Sequence, residues 1–384
     1  MRLPSLRHTF VHPQTLLASL LALSVASAPV PRPAYGPLPT QLSDSTFWQM
    51  VNAMSEPGGF FRSDNFVSNE TNYQRIVKQL QARTPAGGVY MGVGPDQNFT
   101  YIVNLHPRMA FVVDIRRQAM LQQLMYKALF ELAPTRADFL ARLFSRRPVS
   151  TLDANAPVAT LMQAVRAAPQ DSAMYAATLH DIDDRLTREH GFALSADDLG
   201  GIAYVFGSFF DIGPDITYSG DPRSGRMGRS MPGFATMVAE SDSAGVNVGY
   251  LGSDENYQDI RRFEAANLLV PVVGDFGGPK AIRAVGDYVR DHDARVALIY
   301  TSNVEQYLFQ GEQAWRNYYD NVATLPLDSG SLFIRSVFGR GGYGRGYGSG
   351  FMRGDMLITP VRRTLDAYKA GQIHGYWDVI ELSR

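Results

Sequence analysis

Cysteine is absent from this chain of 384 residues, which excludes a disulfide framework and lipid attachment to a leader cysteine. An excess of one charge is absent too, since 36 Lys and Arg residues face 37 Asp and Glu residues. No global field therefore favours nucleic acid or an anionic membrane, and the expected partner is a small molecule. Apolar residues are plentiful: 45% of the chain is hydrophobic, enough for a large core in one elaborated domain or two.

Hydrophobic runs long enough to cross a bilayer are also missing. The apolar run near the N-terminus, residues 16–28, is too short to span a bilayer comfortably. Arg2 and Arg7 precede it without any acidic residue, which is typical of a secretory leader over residues 1–28. We therefore predict a periplasmic or secreted protein, with membrane contact only if the leader stays uncleaved as an anchor. A proline-rich linker, residues 29–42, follows and is assigned no chemistry.

Residues 89–117 predict the opening half of a nucleotide-binding α/β unit. A short apolar strand stops at a turn containing Gly92 and Gly94, where glycine permits backbone angles that other residues avoid. Asp96 is placed to cap the next helix, and His106-Pro107 is placed to end it. The amide groups at the start of this helix would then face the glycine turn.

Asp114 lies at the end of the next apolar run, residues 109–115, which has the character of a strand buried on both faces. An acid about 20 residues beyond the glycine turn suits hydrogen bonds from both hydroxyls of a ribose. Gln97 stands where the dinucleotide fingerprint has its third glycine, which disfavours a nicotinamide or flavin ligand. The alternative interpretation makes Gly92 and Gly94 a plain tight turn and Asp114 a solvated strand end.

The rest of the chain predicts an α/β fold with a doubly wound, mostly parallel sheet and a large helical insertion. The predicted elements after the opening unit are a helix over 121–132, helices and loops over 134–266, strands over 268–273, 296–301 and 332–338, a helix over 361–370 and a closing strand over 376–382. The predicted units are a cap segment (43–85), the α/β domain (86–133 and 267–384) and the insertion (134–266).

The middle of the cap segment, Ser55 to Glu70, mixes charged and amide side chains with phenylalanines, which suits the wall of a pocket. Ser68 is predicted to cap the following helix, with Glu70 in its first turn, where a carboxylate favours the helix dipole. Two roles stay open for this stretch: capping and turns only, or a lid over a substrate or cofactor.

Three further patterns favour loops or solvated surface. The glycine-rich residues 207–233 predict a mobile loop over the mouth of the site. His180, Asp183 and Asp184 lie on one helix and indicate a charged surface more than a metal site, because metal ligands usually converge from separate elements. No metal is therefore expected. Residues 339–350 favour a flexible loop over an RNA-binding repeat.

Three turns together resemble the S-adenosylmethionine-dependent methyltransferase-like group, which has a Rossmann-type fold. Gly92 to Asp96 is similar to the glycine loop of that group, Asp114 to its acid after the second strand, and Gly274-Asp275-Phe276 to its acidic turn after the third. The resemblance covers residues 86–133 and 267 to about 340. It implies S-adenosylmethionine as cofactor, with its methionyl part at the glycines, its ribose at Asp114 and its adenine edge at Asp275. The cofactor-binding residues that it implies are Gly92, Gly94, Asp96, Asp114, Asp275 and Phe276.

The chain also departs from that group. Tyr90 and Met91 occupy the region where the group usually has an acid before its glycine loop. Val304-Glu305 replace the prolines that many amino-group methyltransferases carry, so methylation of an amino nitrogen is not expected. The stretch from Ser55 to Glu70 is similar to one in exported bacterial proteins.

Two functions follow from these patterns. The first is a transferase of the methyltransferase-like fold in which polar side chains orient the acceptor, the candidates being Asp64, Asn65, Glu70 and Asn303. The second is an exported binding or interaction protein that keeps the fold without turnover. A nicotinamide oxidoreductase with Asp114 or Arg116 on the ribose ranks below both, because Gln97 replaces a glycine.

Overall fold

Six strands form one sheet in the part of the chain that the computed structural model describes, residues 36–147, 153, 155–221, 231–338 and 354–384. The strands are β1 (Val89–Gly92), β2 (Met109–Asp114), β3 (Leu269–Val273), β4 (Val296–Ser302), β5 (Leu332–Val337) and β6 (Asp355–Pro360). Their order is β3-β2-β1-β4-β5-β6, and every neighbouring pair is parallel except β5 and β6. The prediction of an α/β fold with a mostly parallel sheet is confirmed.

Helices connect and cover these strands. They are α1 (Asp44–Met54), α2 (Val77–Arg83), α3 (Gln97–Leu105), α4 (Arg117–Leu132), α5 (Arg136–Phe144), α6 (Val158–Ala167), α7 (Ser172–Asp184), α8 (Ala196–Ile212), α9 (Phe234–Val238), α10 (Asp254–Ala265), α11 (Ala281–Asp291), α12 (Val304–Leu308), α13 (Ala314–Ala323), α14 (Val361–Lys369) and α15 (Tyr376–Ser383). Short 3₁₀ turns occur at Tyr73–Ile76 and Gly213–Asp215, and a π turn at Arg185–Glu189 continues α7.

The sheet is covered on both faces, which explains its apolar strands. Tyr90 of β1 contacts Tyr101 of α3, whereas Phe111 of β2 contacts Tyr288 of α11. Tyr90 pairs with Ala110, the neighbour of Phe111, so the two contacts lie on opposite faces. The strands β1, β2, β3 and β5 are buried along their whole length. The apolar runs of β2 and β3 predict this burial.

The region 134–266 is helical in its described residues, which hold α5 to α10 and no strand. These helices pack directly on the α/β part. The ring of Phe139 in α5 stacks on that of Phe130 in α4 at 4.7 Å, and Tyr257 of α10 donates its hydroxyl to the carbonyl of Ala133 at 2.7 Å. The sheet and the helical region therefore share one hydrophobic core.

The C-terminal end differs from the prediction. Residues 376–382 were expected as a strand, but they form α15. The Asp378 carboxylate accepts the N–H groups of His374 and Gly375 at 2.8 and 2.9 Å, which fixes a helix start. The antiparallel edge strand is instead β6, a short segment that no pattern indicated and that ends at Pro360.

Two loop predictions also change. The first part of the predicted loop 207–233 belongs to α8, and residues 222–230 lie outside the described residues. The end of the predicted linker packs on the body, because Leu38 and Leu42 are buried and Arg108 donates to the Leu38 carbonyl at 3.0 Å. The predicted leader, residues 1–28, and the glycine-rich stretch 339–350 lie outside the described residues. None of the described helices has the length and apolar character needed to cross a membrane.

Candidate functional site

A cavity of about 580 Å³ lies where the strand order reverses, at the carboxyl ends of β1 and β4. In open α/β sheets the loops on the two sides of this point diverge and leave a crevice that binds ligands. The ends of four strands line the cavity, through Gly94 after β1, Asp114 at the end of β2, Asp275 after β3 and Asn303 after β4. Its volume lies in the usual range for small-molecule sites.

The cap segment supplies another wall of the cavity, including Asp64 and Asn65. The Arg116 guanidinium holds this wall in place by donating to the carbonyl oxygens of Ser63, at 3.1 Å, and Asp64. The Asp64 carboxylate also accepts a hydrogen bond from the Tyr204 hydroxyl at 3.2 Å. The segment therefore lines the site and does more than cap a helix.

The two predicted helix caps differ in outcome: Ser68 is not a cap, whereas Asp96 holds the N-cap position of α3 without a side-chain bond to it. Ser68 donates its hydroxyl to Gln97 Oε1 and its N–H to Asp96 Oδ1, the latter at 3.1 Å, so neither Ser68 nor Asp96 caps a helix through its side chain. These bonds attach the cap segment to the start of α3. Burial raises the pKa of Asp96 to about 6, although the Ser68 N–H lowers it. Asp96 does not line the cavity.

The two glycines of the turn after β1 have different roles. Gly94 lines the cavity, has φ of +79° and would place a Cβ where no atom lies within 4 Å. Gly92 does not line it, and a Cβ there would lie 2.0 Å from Asn98 Oδ1. Asn98 in turn donates to the carbonyls of Gly94 and Pro95 at 3.1 and 2.7 Å. Gly92 therefore makes room for the side chain that holds the turn, and Gly94 presents bare backbone to a ligand.

Asp114 is buried and already paired. Its Oδ1 accepts from Arg116 Nε at 3.2 Å and from the Arg116 N–H at 3.0 Å, and its Oδ2 accepts from Nη2 at 3.1 Å. The alternative of a solvated strand end is wrong, because Asp114 is only 6% exposed. A carboxylate oxygen accepts about two hydrogen bonds, so Oδ2 keeps one open position. A ribose would find one acceptor at Asp114, not two.

The turn after β3 combines a free carboxylate oxygen with an aromatic ring. Asp275 Oδ1 accepts the N–H of Gly277 at 2.9 Å, and Oδ2 has no partner among the described residues. The Glu56 carboxylate accepts the N–H groups of Asp275 and Lys280, at 3.1 and 2.7 Å, and so caps α11. Phe276 lines the cavity beside them. The turn thus offers a ligand one hydrogen-bond acceptor and an apolar ring face, while the N–H groups of Asp275 and Lys280 are bound by the cap segment.

Glu70 lies deepest in the protein among the acids named in this cavity, with 2% of its surface exposed. Its Oε2 accepts from the Tyr300 hydroxyl at 2.7 Å and from Gln97 Nε2 at 3.1 Å, and its Oε1 accepts from the Ser302 hydroxyl. Burial raises the pKa of Glu70, and the hydrogen bonds from Ser302, Tyr300 and Gln97 oppose that rise. The predicted position in a first helical turn is wrong, because the side chain points to β4 instead.

The mouth of the cavity is aromatic. Phe61 packs edge-on against Tyr307 with ring centroids 5.0 Å apart, and the Arg62 guanidinium lies 5.7 Å from the Tyr307 centroid. Asn303 lines the same region and donates weakly to Gln306 Oε1 at 3.4 Å. Its predicted turn is present, since Ser302 has φ of +53° just before α12.

Several residues of the site were not predicted as functional. Tyr300 was not predicted, because it lies inside a continuous apolar strand and its hydrogen-bond partner, Glu70, is 230 residues away in the sequence. Gln97 was noticed only as a missing glycine, although it bridges Ser68 and Glu70. Arg116 was considered only for a nicotinamide ligand, whereas here it joins Asp114 to the cap segment.

The predicted charged face of α7 contains His180 and Asp184, which form a surface pair at 3.5 Å. Across the described ranges, no group of three or more His, Asp or Glu side chains is arranged to hold a metal ion.

The chain belongs to the family described as domain of unknown function (DUF7790), which matches residues 65–190 and 229–349, more than half of its length. The matched segments contain Glu70, Asp114 and Asp275, so most of the cavity belongs to the shared domain. No curated protein matches the chain.

Proposed function

We propose that the protein binds S-adenosylmethionine or a related nucleoside in this cavity, and that its fold is of the methyltransferase-like Rossmann type. The observation that carries the proposal is the meeting of four loops, from the carboxyl ends of β1 to β4, at the reversal of strand order. Helices on both faces of the sheet support the Rossmann-type assignment.

The residues fit a nucleoside in most respects. Gly94 offers backbone without a side chain, Phe276 offers a ring face, and Asp275 Oδ2 is free to accept a hydrogen bond from an adenine amino group. Asp114 fits less completely, because Arg116 leaves it one acceptor position for a ribose hydroxyl. We therefore place the adenine at Asp275 and Phe276, and one ribose hydroxyl at Asp114.

Group transfer to an unidentified acceptor is the activity proposed for this site. S-adenosylmethionine, when bound, supplies a methyl group activated by a sulfonium. The contribution of the chain would be to hold the nucleoside and to orient the acceptor. Polar side chains that line the same cavity and suit that task are Asp64, Asn65, Glu70 and Asn303. The predicted leader places this activity outside the cytoplasm.

A non-catalytic exported binding protein is the second candidate. One observation favours it: the acid expected to hold the ribose is already neutralised by Arg116, which also secures the cap segment. A protein that had given up nucleoside turnover would retain such a pair as structure, while the cavity served another small molecule.

A matched pair of glycine variants tests the proposal. Gly94 and Gly245 both have φ of +79° and no atom within 4 Å of an added Cβ, but only Gly94 lines the cavity. Alanine at either position is expected to cost about 1 kcal/mol of stability, because the left-handed backbone disfavours a side chain. We expect calorimetry to show binding of S-adenosylmethionine and S-adenosylhomocysteine, weakened at least tenfold in Gly94→Ala and unchanged in Gly245→Ala.

Equal affinities in the two variants would show that the glycine turn does not contact the ligand. Absence of binding by folded wild-type protein would reject the nucleoside proposal and favour the second candidate. Urea unfolding of both variants provides the check that their stabilities match.

A further inference from the structure

Among the described residues, Glu70 has no counter-charge. Each of its hydrogen-bond donors, the Tyr300 and Ser302 hydroxyls and the Gln97 amide, is neutral, and so is the nearby Ser336 hydroxyl. No lysine, arginine or histidine of the described residues forms an ion pair with it. Asp114, the other buried acid that lines this cavity, has Arg116 as its counter-charge by comparison. Glu70 is therefore the buried carboxyl of the site whose charge the described residues leave uncompensated.

An uncompensated buried carboxylate is unfavourable, because the interior solvates its charge poorly. Burial accordingly raises the pKa of Glu70 and favours the protonated form. A cation brought to the cavity floor would reverse this preference, since an opposite charge within a few ångströms favours the carboxylate. The three donors around Glu70 already suit a carboxylate, which accepts hydrogen bonds.

The surroundings also suit a cation. Oε1 accepts one hydrogen bond, from Ser302, and the nearby Ser336 hydroxyl also lowers the pKa of the Glu70 carboxyl. Because a hydroxyl can rotate away, an acceptor position remains that a ligand can use. Tyr218, Phe276 and Tyr307 line the same cavity, and the faces of such rings attract cations. Among the described lining residues, the basic side chain is Arg62, which is exposed at the mouth and lies against Tyr307.

We propose that Glu70 binds the ammonium group of a small amine in this cavity. The proposal rests on the proposed function, because it uses the same cavity and names the chemistry of its ligand. The ammonium has two possible sources, a separate amine ligand or the amino-acid end of the cofactor. Ion pairing with Glu70 is recognition only, and no transfer to the nitrogen is inferred.

Two consequences follow from the chemistry. Binding of an ammonium releases a proton wherever the free protein holds Glu70 protonated. Affinity also increases as pH rises through the pKa of Glu70, because protons compete with the amine for the carboxylate.

Calorimetry with three probes of one shape tests the proposal: benzylamine, benzyl alcohol and benzoate. We expect saturable binding of benzylamine, at least tenfold tighter than the alcohol, with benzoate weaker still. Titrations in two buffers of different ionisation enthalpy should reveal proton release. The variant Glu70→Gln keeps the shape and should lose at least tenfold in benzylamine affinity together with the proton release. The exposed Glu255→Gln serves as a control with wild-type affinity.

Equal affinity for amine and alcohol, or unchanged benzylamine binding by a folded Glu70→Gln variant, would overturn the proposal. Repeating the benzylamine titration with S-adenosylhomocysteine present separates the two sources of ammonium. Competition between the two molecules would assign Glu70 to the amino-acid end of the cofactor. Simultaneous binding of both would assign it to a separate amine ligand. Nucleoside binding without amine binding overturns this inference alone. Amine binding through Glu70 without nucleoside binding supports it and contradicts only the nucleoside assignment.

Discussion

Two buried glutamates lie next to β4, and they differ in whether an arginine neutralises the carboxylate. Glu305, in α12, is 1% exposed and accepts from Arg335 Nε at 2.6 Å, from Nη2 at 3.0 Å and from the Tyr319 hydroxyl at 2.7 Å. Glu70 is 2% exposed and has neutral donors only. Arg335 belongs to β5, so the Glu305 pair joins a helix to the sheet.

The difference separates structure from function. Glu305 and Arg335 satisfy each other, and neither lines the cavity, so their pair requires nothing from outside the protein. Glu70 lines the cavity and has no cationic partner among the described residues. Burying an unpaired acid is unfavourable. An unpaired acid beside a cavity therefore suggests a role toward a ligand, because an ion pair within the protein would occupy the carboxylate.

Removing the charge of Glu305 is expected to have the largest effect on stability. Glu305→Gln leaves Arg335 as a buried cation without its partner, which typically lowers the free energy of unfolding by about 3–5 kcal/mol. Urea unfolding monitored by circular dichroism would measure the loss.

The matched control is Glu70→Gln, which replaces an uncompensated buried acid with an amide of the same shape. We expect its unfolding free energy at pH 7 to stay within about 1 kcal/mol of wild type, since no ion pair is broken. Similar losses in the two variants would mean that Glu70 is as structural as Glu305, and the contrast between them would fail.

A third buried glutamate extends the comparison, because it does not line the cavity and one of its carboxylate oxygens has no hydrogen-bond partner. Glu264 in α10 is 1% exposed, and its Oε1 has no hydrogen-bond partner. Burial raises its pKa from 4.5 to about 8, with Lys127 lowering it and Glu131 raising it. The folded protein therefore holds a proton that the unfolded chain releases above pH 4.5. Stability should fall as pH rises from about 5 to about 8.

The variant Glu264→Gln should lose this part of the pH dependence and gain stability over wild type as pH increases to 9. Urea unfolding at one-unit steps from pH 5 to pH 9 measures the difference between the two curves. Glu255→Gln, an exposed change on the same helix, should run parallel to wild type. Parallel curves for Glu264→Gln as well would show that Glu264 ionises freely in the folded protein.

Much of the fold follows from apolar runs in the sequence. The strands β1 to β5 and the helices α4 and α14 lie where periodicity placed them, because buried parallel strands and helical stripes leave strong local patterns. The prediction of a C-terminal strand was wrong, because the Asp378 carboxylate fixes a helix start and Tyr376–Ser383 is a helix.

The site was harder to predict than the fold. Turns at strand ends identified Gly94, Asp114, Asp275 and Asn303, because strand ends and glycines are visible in a sequence. The partners of Glu70 are not visible. Tyr300 looks like any apolar strand residue, and its hydroxyl reaches Glu70 only because the cap segment folds onto β4. Pairing of Asp114 with Arg116 likewise depends on tertiary geometry.

The most direct test of the central claim is the protonation of Glu70 itself. Carboxyl-carbon NMR of protein labelled in its glutamates, with Glu70→Gln assigning the resonance, would follow Glu70 through a pH titration with and without benzylamine. We predict a pKa above 4.5 in the free protein and a clear decrease when the amine is bound. A Glu70 that titrates at or below 4.5 and does not respond to the amine would contradict the claim that this buried acid awaits a cationic ligand.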